Sequence, residues 1–576
     1  LTVLLYAGDK LLDKTVVHHG FRWYRFDADK GFFLNGKPMR LHGVNRHQDY
    51  KGLGNALPLA QHARDIGFIK DIGANWLRLA HYPQDNYVLE LCDRKGIFVW
   101  QEIPWVGKMS QTEAFAANCE NQLREMIEQR FNHPCVLLWG ISNELLLGKD
   151  KPDTGMLDLL KHLNDVVHEE DPGRLSVLAC HKSDNYAKYG LTTITDVVGY
   201  NLYYGWYYND VEDLTAGLEA FHKASPDKPL IVSEYGPGAD INIHSPYPGI
   251  YDFSQEWQVY YHESYLDQFD KMPWLAGTNA WNMFDFGSAK RGDTIPCVNQ
   301  KGIMTFDRKP KDVFYLYKAR WSNEPVIYIQ GANWTKRSGT PQKTFRVLTN
   351  CDKVELFHNG RSLGTQTTGF RWNVTLDEGA NRLLAIGMKG RKKVRHSMKL
   401  EFTASPPLDR APLRINCGGD DYTDVDGNLW VADHSYVDVE GSWGAISGEA
   451  KYDSKLHVTG TNDSPLFQHY REGTHGYHFD LPAGKYTIKL GLFDPAVAQS
   501  DKKSRVFDIY VQGRKVQAGW VYSTAIQSQR AVWKSFEAEV KDGRGLDLRF
   551  VKERHNYSMI CAVEVNTSIR SETWRR

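Results

Sequence analysis

Several large functional classes leave no trace in this chain. None of its eight cysteines, at 92, 119, 135, 180, 297, 351, 417 and 561, forms a CxxC or a short even spacing. That argues against a zinc site and a disulfide scaffold, and leaves most of them as small buried hydrophobes. No GxGxxG or GxxxxGKS string occurs, so neither a dinucleotide turn nor a phosphate loop is indicated. Lysine plus arginine, 70, equals aspartate plus glutamate, 70, and the chain carries no electrostatic footprint for nucleic acid or an anionic membrane. No apolar run approaches a membrane span, no signal peptide opens the sequence, and there is no internal repeat or low-complexity tract. Because Leu1–Tyr6 already reads as a strand, the sequence is expected to begin inside a domain.

What is present points to several β-rich and α/β units. At 576 residues the chain is too long for one core. Its 17 Trp and 30 Tyr suit aromatic β cores and equally suit surfaces that stack on sugar rings. From about residue 27 to 322, strand-like and helix-like segments alternate. The strand candidates are Met39–Val44, Asn75–Ala80, Ile97–Gln101, Val136–Ile141, Leu175–Ala179, Val197–Asn201, Leu230–Ser233 and Leu275–Asn282. Between them lie helical periods such as Phe115–Phe131, with Leu123, Met126, Ile127 and Phe131 on one face. Eight strands in this span fit a closed (β/α)8 barrel better than an open doubly wound sheet.

After Trp321 the helical period stops. Residues 325–404 alternate as short strands with an Asn359-Gly360 turn, a small β-sandwich. The linker Ser405-Pro406-Pro407-Leu408 precedes a second β-rich region, with strands at Tyr486–Leu492 and Val506–Gln512.

Within the barrel two strings stand out, Ser142-Asn143-Glu144 and Ser233-Glu234-Tyr235-Gly236. Each places a glutamate where an apolar strand ends, which in a (β/α)8 barrel is the catalytic face. Two carboxylates across a cleft are the minimal apparatus for breaking a glycosidic bond, one donating a proton and the other acting as nucleophile or base.

The ordered strings Leu41-His42-Gly43-Val44-Asn45-Arg46-His47, Arg78-Leu79-Ala80-His81-Tyr82-Pro83, Asn132-His133-Pro134, Asn143-Glu144, Asn201-Leu202-Tyr203-Tyr204-Gly205-Trp206-Tyr207, Ser233-Glu234-Tyr235-Gly236 and Asn279-Ala280-Trp281-Asn282 resemble glycoside hydrolase family 2, the β-galactosidase and β-glucuronidase family. The resemblance implies four parts: residues 1–26 as the end of an immunoglobulin-like β-sandwich, 27–322 as the catalytic barrel, 323–404 as an accessory β-sandwich, and 409–576 as a malectin-like carbohydrate-binding domain. By the same resemblance, the sugar-binding jelly roll that usually stands before the immunoglobulin-like domain and walls part of the active-site pocket is expected to be missing from this sequence.

By the same resemblance Glu144 is the acid/base and Glu234 the nucleophile of a retaining mechanism. Asn143 is expected to bind the sugar 2-OH, Tyr203 to reach the nucleophile, His81 to contact hydroxyls, and Trp281 to lie under the ring. Without the resemblance, a lone histidine or tryptophan would more often be structural. Tyr207 belongs to a string close to the glucuronidase version, and Asn299 and Lys301 match an Asn-x-Lys pair that binds a sugar carboxylate there. Lysine next to an acid sugar gains what a neutral galactoside cannot give. Against this, Arg291-Gly292-Asp293-Thr294 before the pair and Lys301-Gly302-Ile303 at its end resemble bacterial sequences labelled β-galactosidase, in which a similar Asn-x-Lys occurs, and Ile295 stands roughly where some glucuronidases carry an arginine.

The expected function is therefore a retaining exo-β-glycosidase, leaning to β-glucuronidase, with β-galactosidase as the alternative within the family. A non-catalytic carbohydrate-binding barrel and an endo-acting glycanase are the readings from other classes. No metal and no cofactor is expected. The partner is a carbohydrate substrate, neither nucleic acid nor membrane, with oligomerisation open. A periplasmic or secreted bacterial location follows from the family.

Overall fold

The computed structural model describes residues 1–567 except 17–18, 245–247, 249–252, 292–293, 340, 405–411, 437–441, 454–455, 457, 494–504, 522–529, 542–544 and 555–557. The expected linker at Ser405–Leu408 lies outside the described residues. The chain divides into two compact units, 1–241 with 258–326, and 242–257 with 327–576.

The first unit opens with an antiparallel hairpin, β1 (Thr2–Ala7) and β2 (Lys10–Val16), then a three-stranded meander, β3 (Tyr24–Asp27), β4 (Gly31–Leu34) and β5 (Lys37–Met39). Eight parallel strands follow: β6 (Leu41–Arg46), β7 (Trp76–Leu79), β8 (Phe98–Glu102), β9 (Val136–Asn143), β10 (Leu175–His181), β11 (Val197–Asn201), β12 (Leu230–Tyr235) and β13 (Gly277–Ala280). They close into a barrel, because β13 pairs with β6. All eight residues of β9 are buried, as a strand lined by core on one side and helices on the other must be. A short antiparallel pair, β14 (Phe286–Gly287) and β15 (Val298–Asn299), follows the barrel.

Two expectations need correction. Met39 and Arg40 do not open the first barrel strand. Asn35 and Gly36, with φ of +49° and +78°, form a tight turn that folds Met39 back onto Phe32. Phe26 and Phe32 then join one buried cluster with Leu41, Trp76, Trp100, Leu137 and Ile231 of the barrel. The predicted helix is present as Glu113–Arg130, capped by the Thr112 hydroxyl. It buries Arg130 rather than Phe131, which is exposed, because Arg130 donates to the carbonyl of Gln84.

In the second unit, Ile327–Ile329, Gln342–Thr349 and Arg371–Thr375 form one sheet, and Lys336–Gly339, Lys353–His358, Arg361–Gln366, Gly379–Lys389 and Lys392–Ala404 another. Alternating residues of both bury a common core of Phe345, Val354, Trp372, Leu383 and Leu400. The Asn359-Gly360 turn lies between two of these strands, with φ of +46° and +86°. Beyond it, Gly484–Leu492 runs between Val532–Val540 and Ala562–Thr567 in a six-stranded sheet, and a five-stranded sheet includes Val506–Val511 and Leu546–Arg554. Ile488, Leu490, Ile509, Leu548 and Val563 share its core.

Candidate active site

Arg78, in β7, organises the carboxyl ends of the barrel strands. Its buried guanidinium donates to both oxygens of Glu102 from β8 (2.9 and 3.0 Å), to Oδ1 of Asn143 from β9 (2.8 Å) and to Oε1 of Glu234 from β12 (2.8 Å). Only arginine offers donors in so many directions from one plane. Burial alone would lift the Glu102 carboxyl, but Arg78 and His81 hold it below its ordinary range. His81 follows from the same strand end, with Nδ1 2.7 Å from Glu102 and Nε2 3.8 Å from Glu234. Its ring stacks on Trp281 at 5.0 Å. Trp281 is also packed edge-on against His47 and Phe286.

The two glutamates meet different surroundings. Glu234 receives the Tyr203 hydroxyl on Oε2 at 2.7 Å and Arg78 on Oε1 at 2.8 Å. Burial first, and then the charge of Glu234, push the Tyr203 phenol well above its usual range, so it stays a donor. Glu144, one residue past β9, turns off the strand with a φ of +54°. Its carboxyl is pushed up to about 7, by burial first and then by the negative charge of Glu234, against a bond from Asn201. One carboxyl is thus poised to hold a proton near neutrality while its neighbour is held by two donors. Gly236 ends this segment at φ +152°, and a Cβ there would lie 2.4 Å from the Trp281 carbonyl oxygen.

A cationic group adjoins these residues. Lys301, buried, donates from Nζ to the Tyr207 hydroxyl at 2.8 Å, and Arg291 donates to the same oxygen at 2.7 Å. Burial alone would raise the Tyr207 phenol, but the two cations bring it below its ordinary value. The Lys301 ammonium lies 4.8 Å from the Tyr207 ring centre, 5.4 Å from Trp206 and 6.0 Å from Tyr203. Asn299 accepts from the Lys301 backbone at 3.2 Å. Tyr203 and Tyr207 touch edge to face at 5.1 Å, which joins this group to Glu234. Behind it, buried Lys311 binds Asp285 at 2.8 Å and the carbonyl of Gln300 at 3.0 Å, and Asp285 holds the backbone of Gly302 at 2.7 Å.

The structure therefore gathers Asn143, Glu144, His81, Tyr203, Glu234 and Trp281 at the strand ends, with Tyr207, Asn299 and Lys301 beside them. Sequence reasoning assigned no role to Arg78, Glu102, Asn201 or Arg291. Arg78 stood in a string already noticed, and Glu102 lies one residue beyond a predicted strand, where the strand-end rule applied to the two glutamates would have found it. Among the described residues, one group could hold a metal ion, Asp93, His133 and Cys135. Its donors are turned on one another: His133 binds Asp93 at 2.7 Å, and Asp93 accepts from the Cys135 backbone at 2.9 Å.

Comparison with known proteins adds the family context. The TIM barrel domain of glycosyl hydrolases family 2 matches residues 28–325, a malectin domain matches 412–566, and a domain of unknown function, DUF4982, matches 341–395. A β-glucuronidase of Bacteroides fragilis is 38% identical over 429 residues, covering 71% of this chain and 60% of its own length. The β-galactosidase BoGH2A of Bacteroides ovatus is 25% identical over 447 residues, covering 67% and 51%. This chain thus spans between about half and three fifths of the length of these curated relatives. The solved structure of Bacteroides uniformis β-glucuronidase 2 covalently bound to cyclophellitol-6-carboxylate aziridine is similar with a TM-score of 0.69 at 36% identity, covering 98% of this chain and 69% of that one.

Proposed function

Because this chain belongs to family 2 of the glycosyl hydrolases, we propose that it is a retaining exo-β-glycosidase that releases terminal β-glucuronic acid from glycans or glycoconjugates. The observation that carries the sugar assignment is the pair of cations, Lys301 and Arg291, on the Tyr207 hydroxyl. A carboxylate placed there gains charge-assisted hydrogen bonds that a neutral hydroxymethyl group cannot match. Two of the relatives carry names that support this reading: the Bacteroides fragilis protein is a β-glucuronidase, and the Bacteroides uniformis β-glucuronidase 2 is covalently bound to cyclophellitol-6-carboxylate aziridine.

In this reading Glu234 attacks the anomeric carbon while Glu144 gives its proton to the departing oxygen, which leaves a glycosyl ester on Glu234. Ester formation removes the negative charge that helps hold the Glu144 proton, so Glu144 becomes the stronger acid and serves as base for the incoming water. Asn143 binds the 2-oxygen, Tyr203 and Arg78 orient Glu234, His81 contacts hydroxyls, and Trp281 flanks the ring. Asn299 and Lys301 read the carboxylate. No step calls for a metal or cofactor.

The alternative within the family is β-galactosidase, favoured by the likeness to BoGH2A and by Ile295 where some glucuronidases carry arginine. Comparing nitrophenyl β-glucuronide and β-galactoside turnover separates the two. Binding without turnover would support a non-catalytic carbohydrate-binding protein, and mid-chain cleavage of a polysaccharide an endo-glycanase. The region matching the malectin domain is assigned to holding the glycan, and the enzyme to the periplasm or the exterior of a bacterium. No helix among the described residues is long and apolar enough to cross a membrane.

A further inference from the structure

Asn201, the last residue of β11, links the two halves of the catalytic apparatus. Its Nδ2 lies 2.9 Å from Glu144 Oε1 and 3.1 Å from Asn143 Oδ1, and its Oδ1 accepts from the Ser233 hydroxyl at 2.7 Å. The side chain is buried, and all three functions of its amide are used.

We propose that Asn201 is a positioning residue that decides which oxygen of Glu144 carries the catalytic proton, through a chain of hydrogen bonds whose polarity Arg78 imposes. The proposal rests on the reading of Glu144 as acid/base. Arg78 can only donate, so the Asn143 atom 2.8 Å from it must be the carbonyl oxygen. The Asn201 atom facing that same oxygen must then be the amide nitrogen. Its second hydrogen points at Glu144 Oε1, which must accept. In a neutral carboxyl the carbonyl oxygen is the better acceptor, so the proton resides on Oε2. That oxygen has no protein partner among the described residues, and is the one left for a leaving group. The same polarity turns Asn143 Nδ2 away from Arg78 as a donor, as recognition of a sugar 2-oxygen requires.

Asn201→Asp tests the polarity with little change of shape. An aspartate carboxylate cannot donate to Oε1, so the Glu144 proton is drawn to Oε1 to bond with it, and Oε2 loses its role as acid. The expected result is a loss of about 100-fold in kcat/KM on phenyl β-glucuronide, the lower end of what proton donation contributes, with dinitrophenyl β-glucuronide much less affected. The alkaline limb of kcat/KM should also move up, because a negative neighbour replaces a donor. Asn201→Ala should move the limb in the same direction by roughly one unit, since only the donor is lost. Equal losses on both leaving groups with an unmoved limb would overturn the proposal and leave Asn201 as packing. Full phenyl glucuronide turnover by Glu144→Gln would instead overturn the acid/base reading itself. Far-ultraviolet circular dichroism and the melting temperature of each variant establish that the folded enzyme is being compared.

Discussion

Tyr203 donates its hydroxyl hydrogen to Oε2 of Glu234 at 2.7 Å. The bond fixes one oxygen of the proposed nucleophile, and its partner is a phenol that burial prevents from ionising. A hydrogen bond to a charged group contributes about 1.5–3 kcal/mol. Tyr203→Phe should therefore lower kcat/KM by roughly ten- to a hundredfold, with the melting temperature little changed. Steady-state kinetics beside a thermal melt check it, and unchanged kinetics would separate Tyr203 from the chemistry.

Glu144 gives the pH dependence its sign. Its carboxyl is raised to about 7 by burial and then by Glu234. The free enzyme is competent while that proton is present, so kcat/KM should hold below this value and fall as pH rises through it. In Glu144→Gln that limb should vanish, and the surviving activity should be confined to substrates with activated leaving groups. A wild-type profile still flat roughly two units above neutrality would contradict the assignment.

Lys301 and Arg291 should govern the choice of sugar. Removing one member of a charged, hydrogen-bonded pair costs about 2–5 kcal/mol, so Lys301→Ala should lower kcat/KM on a β-glucuronide by roughly two to three powers of ten. Arg291→Ala should lower it less, because this side chain is only partly buried and Lys301 remains. Any galactoside turnover should change far less in both. Equal losses on the two sugars would make Lys301 a support of its loop and favour the galactosidase reading.

Lys311 carries stability rather than chemistry. It neutralises Asp285 at 2.8 Å in a fully buried setting and grips the Gln300 carbonyl. Lys311→Met would leave the buried Asp285 with the Gly302 backbone but without its cation, at a cost of about 3–5 kcal/mol. Chemical denaturation should register that loss, and a variant as stable as the wild type would show that the pair is not needed to hold the Lys301 segment.

The parts of this molecule that depend on local pattern were readable from the chain. The Asn359-Gly360 turn, the strand over Val197–Asn201 and the apolar run leading to Glu144 each carry their signal within a few residues. Met39 was misread because the Asn35-Gly36 turn diverts it, and helical period alone could not tell buried Arg130 from exposed Phe131. The partners of Arg78 were not readable, for a geometric reason. Glu102, Asn143 and Glu234 come from three strands spread over more than a hundred residues, and only barrel closure brings them to one guanidinium. Arg291 escaped for the same reason, since Tyr207 lies 84 residues before it.

The central claim, a glucuronide-directed site with Glu234 as nucleophile, is tested most directly by covalent trapping. The protein would be incubated with a 2-deoxy-2-fluoro-β-glucuronyl fluoride and with its galactosyl counterpart, then digested and sequenced by mass spectrometry. The expected result is one glucuronyl adduct on the peptide containing Glu234, absent in Glu234→Gln, with little labelling by the galactosyl reagent. Labelling of another residue, or labelling by the galactosyl reagent alone, would contradict it.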